Sequence, residues 1–74
     1  MINFEIKTDF INLLQFLKLI GVISTGGEIT HYLSLNVVKI NGIECKIKRK
    51  KLFNGDIVEL PNNKTYKIIN LNNK

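Results

Sequence analysis

The dipeptide Asn41-Gly42 constrains the fold of this chain more than any other feature. Asparagine and glycine both adopt the positive φ angles that a two-residue type I′ turn requires, and apolar and polar residues alternate on either side of the pair. The pattern therefore predicts a β-hairpin with strands at residues 37–40 and 43–47.

The turn also determines the register of this hairpin, because a slip by one residue would turn every side chain to the opposite face. The predicted cross-strand pairs are Ile40 with Ile43, Lys39 with Glu44, and Val38 with Cys45. The face expected to be buried carries Val38, Ile40, Ile43, Cys45 and Ile47. The face expected to lie in solvent carries Lys39, Glu44, Lys46 and Lys48.

Two helices are predicted before the hairpin. Thr8 is the expected N-cap of the first, with Asp9 in its first turn and Gly21 as its stop. Apolar residues of this helix recur at helical spacing, at Phe10, Leu13, Leu14 and Leu17. The second helix begins with a predicted capping box, in which Thr25 is the N-cap and Glu28 is the acid three residues later. Its core-facing residues are Ile29, Tyr32 and Leu33, its solvent-facing residues are His31 and Ser34, and it should end near residues 35–36.

The rest of the chain is typical of a small sheet. Strands are expected at residues 3–6, 57–60 and 65–71, with turns at 54–56 and 61–64 and fraying at 72–74. A chain of 74 residues has room for one hydrophobic core. The sequence therefore predicts a single domain over residues 1–74 that contains both helices and strands.

A run of positive charge follows the hairpin. Five of the six residues at 46–51 are cations: Lys46, Lys48, Arg49, Lys50 and Lys51. No acidic residue lies between Cys45 and Asp56, and the whole chain has a formal net charge of +5. Such a cluster repels itself unless an anion is present, which favours a polyanion such as a nucleic-acid backbone as the partner. The alternative is a solvated face whose charge serves only solubility.

The residues Thr25-Gly26-Gly27 are a second candidate anion site. A helix N-terminus presents unpaired N–H groups, and glycine lets a phosphate approach the backbone closely. The alternative is an ordinary tight loop. His31, on the exposed face of the same helix, is either a solvated residue or a contact to a phosphate.

The sequence offers no recognisable set of residues for catalysis. Its one histidine, one cysteine and six carboxylates are spaced neither as a nucleophile with its base nor as a metal site, so no enzyme activity, cofactor or metal is expected. Cys45 is expected in the core, and a lone cysteine is typical of a reducing cytosol. No signal peptide or membrane span is expected, which predicts a cytoplasmic protein without a membrane or small-molecule partner.

Four segments occur in an order that resembles a known family: residues 10–18 (Phe-Ile-Asn-Leu-Leu-Gln-Phe-Leu-Lys), 24–28 (Ser-Thr-Gly-Gly-Glu), 38–42 (Val-Lys-Ile-Asn-Gly) and 51–58 (Lys-Leu-Phe-Asn-Gly-Asp-Ile-Val). The ordered set is similar to the RNA-binding domain first named for ribosomal protein S4, the αL motif, in its stand-alone bacterial, YaaA-like branch. The similarity runs from about residue 6 to residue 69.

The resemblance implies an α+β fold, in which two packed helices lie against a small, mostly antiparallel sheet, and binding of structured RNA without catalysis. In that family the second helix, the loop before it and the basic segment after the Asn-Gly turn form the RNA surface. Carried onto this chain, the RNA-binding positions are Thr25, Gly26, Gly27, His31, Lys46, Lys48, Arg49, Lys50 and Lys51. The family pattern usually has a lysine at Thr30 and an arginine pair at Ile47-Lys48. A lysine lacks the bidentate phosphate geometry of arginine, and Arg49 and Lys50 are additional cations.

Two functions are consistent with the sequence. The first is a small RNA-binding protein that contacts structured RNA, ribosomal RNA included, through phosphate neutralisation and shape. The second is a protein-interaction module whose basic face docks on an acidic protein.

Overall fold

In a computed structural model, which describes residues 1–71, the protein contains seven strands and two helices. In chain order they are β1 (Ile2–Ile6), β2 (Phe10–Asn12), α1 (Leu13–Leu19), α2 (Glu28–Leu35), β3 (Lys39–Ile40), β4 (Ile43–Glu44), β5 (Lys51–Phe53), β6 (Ile57–Glu59) and β7 (Thr65–Asn70). The expected α+β class is confirmed. The predicted fraying of residues 72–74 lies outside the described part of the chain.

The strands form two sheets. The five-stranded sheet has the order β1-β7-β6-β3-β4. β1 pairs in parallel with β7, with Ile2 opposite Tyr66. The other neighbouring pairs in this sheet are antiparallel, which confirms the expected mostly antiparallel arrangement. β2 and β5 form a separate antiparallel pair, with Ile11 opposite Leu52, and neither strand is predicted by the sequence patterns.

Helix α1 begins later than predicted. Its N-cap is Asn12, whose side-chain oxygen accepts a hydrogen bond from the Gln15 N–H at 2.9 Å, while the Asn12 N–H donates to the Gln15 side chain at 3.4 Å. This reciprocal capping box satisfies two N–H groups at the helix start. The prediction of Thr8 as the N-cap is therefore wrong. Thr8 and Asp9 lie in the bend before β2, and Phe10 belongs to that strand rather than to the helix.

Helix α1 ends at Leu19, just before the predicted glycine stop. Gly21 has a φ of 83°, which glycine adopts without the steric cost that a Cβ atom would impose. The Gly21 N–H donates to the Lys18 carbonyl, and the Val22 N–H donates to the Leu17 carbonyl, each at 3.1 Å. These two hydrogen bonds form a Schellman motif, which satisfies carbonyls of the last turn.

Helix α2 has the predicted faces and the predicted end. Ile29 and Leu33 are buried, Tyr32 is half-buried, and His31 and Ser34 are exposed. Partial burial raises the pKa of the Tyr32 hydroxyl, because it disfavours the charged form. The predicted N-cap is wrong, since Gly27 rather than Thr25 occupies that position, without a side-chain hydrogen bond.

The predicted hairpin forms with the expected turn, in which φ is 53° at Asn41 and 84° at Gly42. The register is confirmed: Ile40 lies opposite Ile43, Lys39 lies opposite Glu44, and the Cys45 N–H donates to the Val38 carbonyl at 2.8 Å. Both strands are shorter than predicted. The regular ladder ends at Glu44, after which the chain turns toward helix α1.

Two isoleucines that were expected in the core are in solvent. Ile43 is 73% exposed and Ile47 is 65% exposed, whereas Val38, Ile40 and Cys45 are buried as predicted. β4 is the edge strand of the five-stranded sheet and packs mainly against β3. The alternation of apolar and polar residues along the hairpin therefore includes Ile43 and Ile47, although the core does not extend far enough to bury them.

Phe16 of helix α1 lies at the centre of the core. Its ring meets the Phe4 ring at 4.9 Å and the Tyr66 ring at 5.3 Å between centroids, both edge to face, a geometry that aromatic pairs prefer. These contacts join α1 to β1 and β7. The other fully buried large side chains are Leu13, Leu17, Ile29, Val38, Leu52, Val58 and Ile68.

Asn41 and Asp56 tie two turns together. The Asp56 carboxylate accepts hydrogen bonds from the Asn41 side-chain amide at 3.1 Å and from the Phe53 N–H at 2.8 Å. The Asn41 side-chain oxygen accepts one from the Ile57 N–H at 2.9 Å. These bonds hold β5, and the cations that lead into it, beside the hairpin.

Candidate nucleic-acid interface

The five predicted cations lie in one surface segment, residues 46–51, here called the basic segment. It runs from the hairpin to the start of β5 and contains a turn at residues 48–49. In that turn the Lys50 N–H donates to the Ile47 carbonyl at 3.2 Å. Every side chain of the basic segment is exposed.

The main chain of the basic segment is anchored on the start of helix α1. The Leu13 N–H donates to the Lys50 carbonyl at 2.8 Å, and the Leu14 N–H donates to the Lys48 carbonyl at 3.0 Å. N–H groups in the first turn of a helix have no acceptor within the helix. The basic segment supplies carbonyl acceptors for two of them. The anchoring uses backbone carbonyls, which leaves the cationic side chains in solvent.

Two of the five cations have partners within the protein. Lys46 Nζ forms an ion pair with Glu44 Oε2 at 3.3 Å and donates to the Leu33 carbonyl at 3.2 Å. Lys51 Nζ lies 4.8 Å from the centroid of the Phe10 ring, within the range of a cation–π interaction. Both side chains are exposed, so these contacts are worth little and an external anion can compete with them.

The other three cations, Lys48, Arg49 and Lys50, have no acidic partner among residues 1–71. They are adjacent in sequence, exposed, and of like charge. Their mutual repulsion is relieved when an anion binds or when salt screens it. These three residues therefore form a continuous patch of positive charge without acidic partners among residues 1–71.

Helix α2 lies beside the basic segment. Together they line an open groove of about 640 Å³, with Thr30, Leu33 and Ser34 on one side and Lys46, Ile47 and Lys48 on the other. Thr30, where the family pattern has a lysine, contributes no charge to this groove. His31 is exposed on the same helix but does not line the groove.

The glycine loop before α2 reaches the same part of the surface. A Cβ atom at Gly26 would lie 3.8 Å from the Leu14 Cδ2 atom, and the Leu14 N–H bonds the Lys48 carbonyl. Leu14 is thus next to both features, so the loop and the basic segment are neighbours. Eight of the nine predicted positions lie in these two neighbouring segments, and His31 lies on helix α2.

The N–H groups of the loop before α2 are only partly free. Glu28 Oε1 accepts hydrogen bonds from the Ser24 N–H at 2.8 Å and the Thr25 N–H at 2.9 Å. These bonds hold the pKa of the Glu28 carboxyl below its ordinary value, and the bond from Ser24 has the larger effect. Glu28 is the first residue of α2 rather than the third, so the predicted capping box does not form. The Glu28 carboxylate still accepts from the Thr25 N–H and occupies donors that a phosphate would use. Among the described residues, the Gly26 and Gly27 N–H groups have no protein acceptor.

Sequence reasoning missed an exposed apolar surface next to the basic segment. Ile43, Ile47 and Phe53 are 73%, 65% and 47% exposed, and they line one groove. The alternation Lys51-Leu52-Phe53, in which only Leu52 is buried, is a signal that could have placed Phe53 on this surface. No such signal distinguishes the two isoleucines from core residues.

Neither a metal site nor a membrane span is found within residues 1–71. No group of three or more His, Cys, Asp or Glu side chains there could hold a metal ion. No helix in that part of the chain has the length and apolar character to cross a membrane. Cys45 is buried and free, as expected of a core residue.

Comparisons with known proteins cover the same part of the chain. A family model described as S4 domain matches residues 4–69. The chain is 37% identical over 66 residues to a protein of Bacillus subtilis (strain 168) named probable ribosome maturation protein RlbA. That alignment covers 89% of this chain and 93% of the relative. Both helices and the basic segment fall within the matched region, and so do all strands except the first two residues of β1 and the last residue of β7.

Proposed function

This chain belongs to the S4 domain family, and on that premise we propose that it is a non-catalytic RNA-binding protein of the bacterial cytoplasm. Its partner is structured RNA. Ribosomal RNA is the class that agrees with the name of the Bacillus subtilis relative, a probable ribosome maturation protein.

One observation carries the proposal: the basic segment presents three cations without acidic partners beside an open groove along α2. Anchoring through the Lys48 and Lys50 carbonyls holds the backbone of the segment in place. A cationic surface that is already held in place loses less conformational freedom when it binds than a mobile tail would lose. This arrangement supports a docking surface for a folded polyanion.

The mode of binding is phosphate neutralisation and recognition of shape. Exposed lysine and arginine side chains contact phosphate oxygens, which positions an RNA helix but reads little sequence. Lys48, Arg49 and Lys50 make the main contacts, while Lys46 and Lys51 exchange their weak internal contacts for phosphate. The remaining positions, Thr25, Gly26, Gly27 and His31, contribute hydrogen bonds at the edge of the same surface.

A charge-neutralised variant tests the proposal. In the triple variant Lys48→Gln, Arg49→Gln, Lys50→Gln, the slope of log affinity against log salt should become shallower by about 0.9 for each phosphate that the protein no longer neutralises, or about 2.7 in all. If both proteins bind equally at 1 M salt, where this contribution vanishes, the affinity of the variant at 0.1 M salt should be weaker by roughly 500-fold. Fluorescence anisotropy with labelled ribosomal RNA fragments measures both quantities.

The matched control removes the same charge elsewhere. Lys18→Gln, Lys64→Gln, Lys67→Gln removes three cations outside the basic segment, so both triple variants fall from a net charge of +5 to +2. The control should keep most of its RNA affinity, and both variants should melt near the wild-type temperature. Equal losses of affinity in the two variants would show that net charge, not this surface, binds RNA. If the wild-type protein retains no RNA fragment at moderate salt, docking on an acidic protein becomes the better hypothesis.

A further inference from the structure

A second groove borders the basic segment and has an apolar floor. Ile43, Ile47 and Phe53 line it, and the volume of the groove is about 690 Å³. Sites that hold small organic groups span about 300–1,000 Å³ and are lined mostly by apolar side chains. Exposed apolar residues that adjoin one another, unlike singly scattered ones, commonly mark a binding surface.

The rim of this groove is positively charged. Lys46, Lys50 and Lys51 lie along it, together with the acids Glu44 and Asp56. Both acids are engaged within the protein. Glu44 pairs with Lys46 at 3.3 Å. Asp56 accepts hydrogen bonds from a backbone N–H and a side-chain amide. The donors to Asp56 are neutral, so it keeps its charge, and three lysines against two acids leave the lining with a net charge of +1. With Lys50 and Lys51 beside the apolar floor, the groove suits a group that is apolar on its face and linked to negative charge.

An added peptide strand fits the groove poorly. β4, which forms the edge of the sheet here, is two residues long and carries the charged residue Glu44. Short, charged edge strands are typical of edges that are protected against strand addition. A planar group that needs only one or two hydrogen bonds is not limited in this way. In the described residues, the Glu44 and Lys46 N–H groups have no protein acceptor and can donate to such a group.

We infer that this groove holds an unpaired base of the bound RNA, packed on Ile43, Ile47 and Phe53, while Lys50 and Lys51 contact its flanking phosphates. The inference rests on the proposed function and extends it from phosphate contacts to a preference for RNA with a looped-out nucleotide. Specific RNA recognition commonly uses bases that have left the helix and stack on apolar or aromatic side chains. The lysines shared with the basic segment make the base site continuous with the phosphate-binding surface.

The test compares two hairpin RNAs that differ by one base. The first contains a single unpaired adenosine, and the second has an abasic ribose at that position, which keeps the bulge and its phosphates. The wild-type protein should bind the adenosine RNA at least about fivefold more tightly, the lower end of what one stacked base contributes. The double variant Ile43→Thr, Ile47→Thr should lose this preference and bind both RNAs with the affinity of the wild-type protein for the abasic RNA.

An exposed apolar residue outside the groove provides the control variant. Leu35→Thr changes a residue of α2 with a similar exposure, 68%, and should keep the preference. Measurable but equal binding of both RNAs by the wild-type protein overturns the inference and leaves the groove to a protein partner. A preference that survives in the double variant also overturns it. Binding of neither RNA by the wild-type protein contradicts the proposed function itself.

Discussion

Replacing Asn12 with alanine tests the local structure on which the basic segment is built. Asn12 caps helix α1 by accepting a hydrogen bond from the Gln15 N–H at 2.9 Å. The next two N–H groups of the helix, those of Leu13 and Leu14, bind the carbonyls of the basic segment. Loss of the cap therefore weakens the helix end that anchors the cations.

The expected cost follows from the capping geometry. Removing an asparagine N-cap destabilises a protein by about 0.5–2 kcal/mol. The second bond of the capping box, from the Asn12 N–H to the Gln15 side chain, is long at 3.4 Å and therefore weak. We expect a cost in the middle of that range, about 1 kcal/mol. In a domain of this size such a change lowers the melting temperature by about 4–8 °C.

Urea and thermal unfolding, followed by circular dichroism, measure this change. Thr8→Ala is the matched control, since Thr8 is exposed and its hydroxyl bonds only the Phe10 carbonyl. Its cost should stay within about 0.5 kcal/mol. Asn12→Ser keeps a capping oxygen and should recover most of the stability. If Thr8→Ala costs as much as Asn12→Ala, the helix begins near Thr8 and the assignment of the cap is refuted.

Two further predictions concern acid stability and the core. The Ser24 and Thr25 N–H groups keep the pKa of Glu28 below 4.5 in the folded protein. Its carboxylate therefore stabilises the fold above that pH, and the contribution is lost as the pH falls through the folded pKa. Urea unfolding over a pH series should show wild type losing its advantage over Glu28→Gln below pH 4.5, and an unchanged difference would contradict this role. Leu52→Ala should cost about 2–5 kcal/mol, because Leu52 is fully buried. Ile43→Thr, on an exposed residue, should stay within about 0.5 kcal/mol, and a similar loss in both variants would place Ile43 in the core.

Features that depend on neighbouring residues could be predicted from the sequence. The turn at Asn41-Gly42 and the helix stop at Gly21 follow from backbone angles that few residues adopt easily. The register of the hairpin follows from its turn, and the faces of α2 follow from the helical period. The grouping of the basic segment with the glycine loop was expected from the resemblance to the RNA-binding family.

Features that depend on distant pairing could not be predicted. Helix α1 is capped by Asn12 rather than by the predicted Thr8, because residues 10–12 pair with residues 51–53. No local pattern encodes that pairing. Similarly, the alternation at Ile43 and Ile47 looks the same whether or not another layer covers it.

The sequence alone determined the turns, the helix periods and the number of cations, since each depends on a few neighbouring residues and their allowed angles. The tertiary structure decided where the core ends and which cations have partners. Lys46 meets Glu44 within the hairpin, while Lys48, Arg49 and Lys50 meet no acid among residues 1–71. The physical reason is that burial and ion pairing depend on distances in space, which the complete packing of the chain sets.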